Sequence, residues 1–214
     1  MAFLNEEERQ AGTLLLTQFA LFNQATVVFE QQIEPAFWKG FDLCVSRLAN
    51  SLDWDEDADY ENKEACWLSP KSWLVEPRTY KYWFECHSTV REGYDYQLAL
   101  LLGCGTEEGE FGFKFILSDK YFGGVKKRNL YLSQHLTAER VEKLNQLGFR
   151  DITQGTFFLP LALDPALIAA CWQENGAFPH DHEVFAPLRE ALNKLEQAVA
   201  IFDEIFAAQA DLLA

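Results

Sequence analysis

The sequence lacks the features of a secreted, disulfide-bonded or membrane-spanning chain. Its five cysteines are odd in number, and none of them forms a Cys-x-x-Cys pair. The N-terminus carries no basic segment followed by a long apolar run, and no stretch approaches the roughly 18 apolar residues of a membrane-spanning helix. We therefore expect a cytoplasmic location with no membrane association, in which reduced cysteines serve as small buried hydrophobic residues.

Positive charge is scarce. The chain has 18 Lys and Arg residues against 33 Asp and Glu residues, which gives a net charge of −15. Because such a surface repels nucleic-acid backbones, we expect no direct binding to nucleic acid and, instead, a basic protein partner. The imbalance is localised. Residues 64–162 hold twelve acidic and twelve basic residues, so the excess acid lies in the two ends and in the run from Asp53 to Glu64.

Signatures of common enzyme classes are missing as well. The sequence contains no Gly-x-Ser-x-Gly, no Gly-x-Gly-x-x-Gly and no Gly-x-x-x-x-Gly-Lys-Ser/Thr. It therefore offers no nucleophile elbow, no dinucleotide-binding turn and no phosphate-binding loop of those types. Cys86 and His87 are adjacent on a predicted strand and would point to opposite faces, which opposes a Cys–His catalytic pair. These observations lean away from an enzyme.

What the chain does contain is a clear succession of helical and extended patterns. With 214 residues, 49% hydrophobic and 14% aromatic content, it is able to bury a sizeable core. We predict one domain over residues 1–214, helical over 1–52, sheet-rich with one helix over 64–162, and helical over 164–214. The predicted fold class is α+β, with a sheet of about five strands, antiparallel or mixed, flanked by long N- and C-terminal helices.

The two ends carry long apolar seams. Asn5 and Glu8 form a capping box that begins a helix running to about Ile33, and Pro35 breaks or kinks it before a second helix over 36–52. In the first and last helices the apolar residues alternate in steps of four and three. This favours an intramolecular bundle of the two seams, with a homodimer through the C-terminal helix as the alternative. The seam positions are Leu15, Phe19, Phe22, Thr26, Phe29 and Ile33 in the first helix, and Leu188, Leu192, Leu195, Val199, Phe202, Phe206, Gln209 and Leu213 in the last.

The middle of the chain alternates mainly with a period of two, as strands do. Within it, Thr137 caps a helix that ends near Leu147, before Gly148. Asp164 and Pro165 open a short helix after the last strand. Strands are predicted at 80–87, 94–102 and 111–117, with further strands at 128–134 and 156–163.

The run from Asp53 to Glu64 is the sharpest local signal. Its acids occupy positions 1, 3, 5, 7, 9 and 12 of a twelve-residue segment after a helix, which are the oxygen-bearing positions of an EF-hand. Ala58 stands where that loop requires glycine, and Tyr60 stands where it has a small aliphatic residue. These departures favour a solvated loop over a cation site. The candidate ligands for calcium or another divalent cation are Asp53, Asp55, Asp57, Asp59, Glu61 and Glu64.

The same run also predicts a docking surface. Concentrated acid, long helical seams and the lack of catalytic signatures are typical of a non-enzymatic interaction protein. Examples are an inhibitor, an immunity protein, an antitoxin or an assembly factor. Its partner would present a basic surface, as a nucleic-acid-binding protein or a nuclease toxin does. The predicted contact residues are Asp53, Trp54, Asp55, Glu56, Asp57, Asp59 and Tyr60.

A divalent-metal enzyme is the alternative hypothesis, and a short segment near the C-terminal helix supplies one set of ligands. His180, Asp181, His182 and Glu183 gather two imidazoles and two carboxylates. Two imidazoles on an extended stretch are able to chelate a transition metal. Asp181 and Glu183 also suit the capping position and the first turn of a helix, which is the competing interpretation.

The predicted order of helix, three strands, helix and strand resembles the core of the restriction-endonuclease-like family. The resemblance concerns element order over about half of the chain. It implies a carboxylate on one strand and Glu-x-Lys on the next, which together hold magnesium and orient water. Asp95 is the candidate first carboxylate, and Glu110 and Lys114 are the candidates on the next strand. They lie four residues apart instead of two, so the Glu-x-Lys signature itself is missing.

Overall fold

A computed structural model describes residues 5–90, 95–105, 108–153 and 155–207 of the chain. Over these residues the fold is α+β, as predicted, and its main sheet has six strands. The α-helices are α1 (Glu6–Thr17), α2 (Phe19–Val28), α3 (Glu34–Ser51), α4 (Tyr60–Lys63), α5 (Gln97–Leu101), α6 (Val125–His135), α7 (Ala138–Gln146), α8 (Pro165–Asn175) and α9 (Ala186–Phe206). The strands are β1 (Trp54–Asp59), β2 (Ala65–Pro70), β3 (Leu74–Glu76), β4 (Thr79–Tyr80), β5 (Tyr82–Ser88), β6 (Phe111–Leu117), β7 (Arg150–Thr153) and β8 (Thr156–Leu161).

The sheet is antiparallel throughout. Its strand order is β1-β2-β5-β6-β8-β7, which makes β1 and β7 the edge strands, while β3 and β4 form a separate hairpin. In the register, Leu68 of β2 lies opposite Phe84 of β5, and Phe84 lies opposite Phe115 of β6. Because side chains alternate along a strand, this register sends one continuous aromatic row to one face of the sheet.

Helices α3 and α9 cover that aromatic face. Phe202 of α9 stacks on Phe115 with ring centroids 3.7 Å apart and planes 7° apart. Trp73 is fully buried in the same layer. From α3, Trp38 and Phe41 pack around Phe111 of β6. Burial of this aromatic layer is the main source of stability, since each large ring removes much apolar surface from water.

The C-terminal seam packs on the sheet instead of on the N-terminal helix. Leu188, Leu192 and Leu195 are fully buried within the chain. The predicted bundle of the two seams is therefore wrong, because the aromatic face of the sheet offers α9 a larger apolar surface than a single helix does. Over its described part the seam is also occupied within the monomer. Its last two positions, Gln209 and Leu213, lie outside the described residues.

The first helix begins as predicted but follows another course. The Asn5–Glu8 capping box is present, with both of its reciprocal hydrogen bonds. The chain then bends by 82° between α1 and the helical segment over 19–51, and neither α1 nor α2 contains a buried residue. Among the described residues no single helix has the length and apolar composition of a membrane span. The two bent segments meet those criteria only when they are taken together.

Of the two predicted effects of Pro35, a break or a kink of the helix, the break does not occur. It lies in the first turn of α3, directly after a π-helical turn over Phe29–Ile33. The wider turn lets the backbone N–H of Glu34 reach the carbonyl of Phe29. Proline has no backbone N–H to donate. Because the π-helical turn has already changed the regular hydrogen-bond pattern at this point, the helix tolerates that lack. The helix therefore continues through this site.

Two predicted strands are helices. Residues 94–102 contain α5, and residues 128–134 lie within α6. Both segments have apolar residues at alternate positions, but short runs of this kind are ambiguous between strand and buried helix. Leu98, Leu100 and Leu101 are buried on α5, and leucine is a strong helix former. The predicted helices after Thr137 and Asp164 are confirmed, and both caps accept backbone hydrogen bonds.

The acidic run forms a strand and a helical turn instead of a loop. Residues Trp54–Asp59 are β1, which pairs along its whole length with β2 at the edge of the sheet. Tyr60–Lys63 form α4, and Glu64 follows with a positive φ of 51°. The acidic pattern conceals the strand because one face carries only aspartates and Glu56 interrupts the apolar residues Trp54 and Ala58 of the other, whereas strand prediction relies on apolar side chains.

The cysteines follow the expectation in part. Cys44, Cys66 and Cys171 are buried, Cys86 is half-buried and Cys104 is exposed, and all five are free thiols. Burial raises the pKa of the Cys44 thiol. The buried thiols therefore fill the core as small apolar groups.

Candidate binding groove on the open face of the sheet

On the face opposite α9, strands β1, β2 and β5 carry aromatic and charged side chains that are partly exposed among the described residues. We call this face the open face. Because Leu68 and Phe84 point to the core, their strand neighbours Trp67, Trp83 and Glu85 point to the open face. Each of these three is only half-buried. Asp55 and Asp57 of the edge strand lie on the same face, opposite Ser69 and Trp67 in the register.

Two adjoining depressions on this face form the candidate site. The first has a volume of about 470 Å³ and lies toward β5, and the second has a volume of about 590 Å³ and lies toward β1. Trp67, Arg78 and Tyr80 line both, so we treat them as one aromatic–acidic groove. Its lining residues are Asp55, Glu56, Asp57, Trp67, Leu74, Arg78, Thr79, Tyr80, Trp83, Glu85 and Ser118.

Two aromatic side chains of the groove are hydrogen-bonded to its carboxylates. The Tyr80 hydroxyl donates a hydrogen bond of 2.7 Å to Asp55 Oδ2, and the Trp83 indole Nε1–H donates one of 3.0 Å to Glu85 Oε2. The rings of Trp67 and Tyr80 lie 5.2 Å apart at 52°. Such bonds fix each carboxylate at the edge of an aromatic ring, so that one incoming group is able to contact both side chains.

Tyr80 remains a donor at neutral pH. Desolvation and the hydrogen bond to the Asp55 carboxylate raise the pKa of Tyr80 to about 12. Both effects disfavour the phenolate, the second because it would stand beside a carboxylate. The hydroxyl therefore keeps its proton, and the Tyr80–Asp55 pair is a stable wall of the groove.

The groove is strongly negative. Asp55, Glu56, Asp57 and Glu85 contribute four carboxylates to its lining, against the single guanidinium of Arg78. Part of this charge is balanced from outside the groove. Lys63 pairs with Asp57 at 3.0 Å, and Lys114 stands opposite Glu85 in the strand register. Ring faces beside carboxylates attract a cationic side chain through cation–π and Coulomb interactions together.

Arg78 occupies a strained position in the turn of the β3–β4 hairpin. Its φ is +65°, in the left-handed region that favours glycine. A non-glycine residue in this region costs on the order of 1 kcal/mol. The turn holds the guanidinium at the rim of the groove, between the two depressions.

The structure places the predicted contact residues in three different settings. Asp55, Glu56 and Asp57 line the groove. Asp53 pairs with Lys71 in the turn before β1. Asp59 lies at the end of the same strand, 3.1 Å from Lys63.

Tyr60 is a core residue, which corrects its predicted role in docking, and Trp54 is half-buried against the core. Trp54 stacks on Phe84 on the covered face at 6.1 Å. Tyr60 is 6% exposed and stacks on Trp38 at 4.1 Å. Burial raises the pKa of Tyr60 far above its usual range. Trp54 lies on the covered side of β1, and α4 turns Tyr60 toward α3.

Sequence reasoning missed the aromatic half of the groove. Alternation along the predicted strand 80–87 places Trp83 and Glu85 on the face opposite Phe84, and the register agrees. Tyr80 lies within the predicted strand, but it belongs to β4 and lines the groove. The alternation of Trp83 and Glu85 was the one signal available, and only the strand pairing brings Trp67 and Asp55 beside it.

The geometry on which the calcium prediction was based is absent. In an extended strand, alternate side chains such as Asp55, Asp57 and Asp59 are spaced about 7 Å apart. Calcium ligands must instead converge at about 2.4 Å from one ion. Lys63 also bridges Asp57 and Asp59. Within the described ranges, no group of three or more His, Cys, Asp or Glu side chains is placed to hold a metal.

The histidine cluster is organised around helix capping. The Nδ1 atom of His182 accepts a hydrogen bond of 3.1 Å from the backbone N–H of Val184 and caps a 3₁₀ turn over Glu183–Phe185. This is the role that the sequence assigned to Asp181. Arg189 donates to the backbone carbonyls of His180 and His182. The two histidines therefore lie in a fixed turn that joins α8 to α9.

The three nuclease-like candidates are placed in separate settings. Glu110 forms an ion pair with Arg150 of β7. Lys114 lies on β6 opposite Glu85. Asp95 lies against Gly105 before α5, where a strand was expected. Because residues 94–102 and 128–134 contribute helices, the element order that resembled the restriction-endonuclease-like core is not the observed one.

Comparison with protein-family models, curated proteins and solved structures finds no match for this chain. The assignment of a function therefore rests on the geometry and charge of the groove.

Proposed function

We propose that this protein is a non-enzymatic interaction protein that docks a basic segment of a partner protein in the aromatic–acidic groove. Inhibitors, immunity proteins, antitoxins and assembly factors are proteins of this class. The observation that carries the proposal is the pairing of carboxylates with aromatic side chains, with Asp55 hydrogen-bonded to Tyr80 and Glu85 hydrogen-bonded to Trp83. A lysine or arginine side chain is the protein group that satisfies both at once.

The edge strand supports docking through side chains more than through strand addition. An exposed edge offers unpaired backbone groups to an added strand. In β1 the backbone N–H of Ala58 donates a hydrogen bond to the carboxylate of Glu56, two residues earlier in the chain, and is therefore not available to an added strand. Charged side chains along an edge also oppose pairing with another sheet. The partner is therefore expected to lie across the open face, with its cations directed into the groove.

A direct test uses a short peptide of alternating lysine and glycine, with a glutamate–glycine peptide of the same length as the control. Binding is followed at low salt through tryptophan fluorescence, since Trp67 and Trp83 line the groove. The double variant Asp55→Asn, Glu85→Gln is expected to weaken binding by about tenfold, as two partly exposed charge contacts contribute about 1 to 2 kcal/mol together. Arg78→Gln is expected to tighten binding severalfold, because it removes the one cation of the lining.

The matched control is the double variant Glu6→Gln, Glu7→Gln in α1. It removes the same amount of charge far along the chain and leaves the Asn5–Glu8 capping box in place. If this control weakened the lysine peptide as much as the groove variant does, the attraction would reflect net charge alone and the proposal would fail. Unchanged binding in the Arg78→Gln variant would also count against the groove as the site.

The partner itself is sought by affinity capture from the native cell at increasing salt, with mass spectrometry of the bound proteins. A stoichiometric basic protein is expected to bind the wild type and the α1 control and to be lost with the groove variant. Its release by salt follows from screening of charge contacts within about 10 Å at 0.1 M ionic strength. A captured protein that binds the groove variant as well as it binds the wild type would contradict the proposed site.

A further inference from the structure

The N-terminal helices form an apolar arm with no cover from the rest of the described chain. We define the arm as α1 and α2. Neither helix has a buried residue. α2 is apolar on most of its circumference, and such a helix is normally enclosed by other protein, whereas α1 is apolar mainly over Leu14–Leu16. The exposed large side chains of the arm are Leu14 (66%), Leu15 (39%), Leu16 (71%), Phe19 (55%), Leu21 (62%), Phe22 (46%), Val27 (41%) and Val28 (38%).

Beyond its first turn, the arm is an uncharged segment of a strongly charged chain. Residues 10–29 are twenty consecutive positions without Asp, Glu, Lys, Arg or His. All of the charge behind the net value of −15 lies outside this segment. The arm is therefore a different kind of surface from the acidic groove, and a basic partner gains no Coulomb attraction from it.

We infer that the arm binds the arm of a second copy of this chain, so that the protein is a homodimer through α1 and α2. Two copies that each carry −15 repel one another over most of their surface. The uncharged apolar segment over 10–29 is a region where they are able to meet without that repulsion. In a two-fold contact each arm covers the other, so one interface buries both apolar surfaces. An unlike partner would need an apolar surface of its own for this purpose.

The size of the arm fits a stable interface. α1 and α2 have 12 and 10 residues, 22 in all. A standard interface between two proteins uses about 20–30 residues from each side. The 82° bend between the two segments gives the arm a hooked shape, so that two arms clasp along both helices rather than along one stripe. This contact replaces the predicted homodimer through the C-terminal helix, whose seam the sheet occupies.

The charge pattern favours a second copy over a lipid surface. Helices that lie on membranes usually carry lysine and arginine on the polar face, which attract anionic lipid. The arm has one such residue, Arg9, preceded by three glutamates at positions 6–8. Attachment by the arm would also bring the acidic body near the anionic surface.

The test is the molar mass of the full chain by light scattering and sedimentation at several concentrations. The wild type is expected to be a dimer, and the double variant Leu21→Glu, Phe22→Glu is expected to be a folded monomer. Leu130→Glu, on an equally exposed leucine of α6 (60% exposed), is the control and is expected to remain a dimer. A wild type that stays monomeric up to 100 micromolar, or a dimer that survives the arm variant, would overturn the inference.

Salt dependence and vesicle binding distinguish the homodimer from binding of a basic partner and from binding of lipid. Raising salt is expected to strengthen the dimer, because it screens the repulsion between acidic bodies, whereas it weakens binding of the lysine peptide in the groove. The two proposals therefore fail independently. Flotation of a monomeric wild type with vesicles of phosphatidylcholine and phosphatidylglycerol, abolished by the arm variant, would assign the arm to lipid and reject the homodimer.

Discussion

The arm and α9 are two helical regions with the same apolar alternation and opposite environments. α9 has 21 residues and the arm has 22. Leu192, Leu195 and Phe202 of α9 are fully buried, whereas Phe19 and Phe22 of the arm are about half exposed. Apolar residues spaced alternately by four and three positions thus indicate a helix face that is buried against other protein. The spacing does not indicate whether that protein is the same chain or another.

What covers α9 is the aromatic row of the sheet. Phe202 is near five aromatic rings of the sheet layer and its neighbours, and its stacking on Phe115 is the closest of them. Such flat rings present a large apolar surface on which a helix is able to rest. The arm has no comparable surface in front of it within the described residues. The difference between the two regions therefore lies in their neighbours and not in their own sequence.

The largest expected effect contrasts a phenylalanine from each region. Phe202→Ala is expected to lower the free energy of unfolding by about 3 to 5 kcal/mol, because it leaves a cavity in the aromatic layer. Phe22→Ala is expected to change it by less than about 0.5 kcal/mol in the monomer, since exposed positions contribute little. Denaturant unfolding at low protein concentration, where dimerisation does not contribute, measures both. Equal losses would mean that the arm packs on the body.

Two helical glycines give a second contrast. A Cβ at Gly40 of α3 would lie 2.2 Å from the backbone carbonyl oxygen of Phe178, so Gly40→Ala is expected to cost about 1 to 3 kcal/mol through overpacking. A Cβ at Gly12 of α1 would meet nothing within 4 Å, and alanine there stabilises the helix by about 1 kcal/mol. Thermal unfolding is expected to show the loss at Gly40, and far-UV circular dichroism a gain in helix at Gly12. A loss at Gly12 would reveal a neighbour for the arm.

A buried carboxylate of α3 adds a smaller, pH-dependent contrast. Asp42 Oδ1 is buried without a hydrogen-bond partner, and desolvation is the main cause that raises the pKa of Asp42 from 3.8 to about 6. The folded state therefore holds this proton more tightly than the unfolded state does. Its contribution to stability is complete below about pH 4 and is lost as the pH rises through 6.

Asp42→Asn is expected to remove that dependence. At pH 7 the variant is expected to gain about 1 to 2 kcal/mol over the wild type, after allowance for the partial exposure of the group, and at pH 4 the difference is expected to shrink. Denaturant unfolding at the two pH values measures it, with Glu7→Gln of the arm as the control. A constant difference between the two pH values would show that Asp42 does not titrate in this way.

Some helices and strands are predictable from this sequence and others are not. Periodicity predicted α3, α7, α8 and α9, because long apolar steps and capping residues are local signals. It failed at α5 and α6, where a short run of alternate apolar residues fits either a strand or a buried helix. It also missed β1, because Glu56 interrupts the apolar residues on one face of this edge strand and the other face is wholly acidic.

The sequence by itself determined the fold class, the acidic balance, the capping of α1 and α7, and the presence of two apolar seams. These follow from residue types at short spacing, where local sterics and hydrogen bonding dominate. Only the tertiary structure decided that the sheet covers one seam and leaves the other exposed, and that Trp67, Tyr80 and Asp55 meet in one groove. These depend on strand pairing and register, which are set by contacts between residues far apart in the chain.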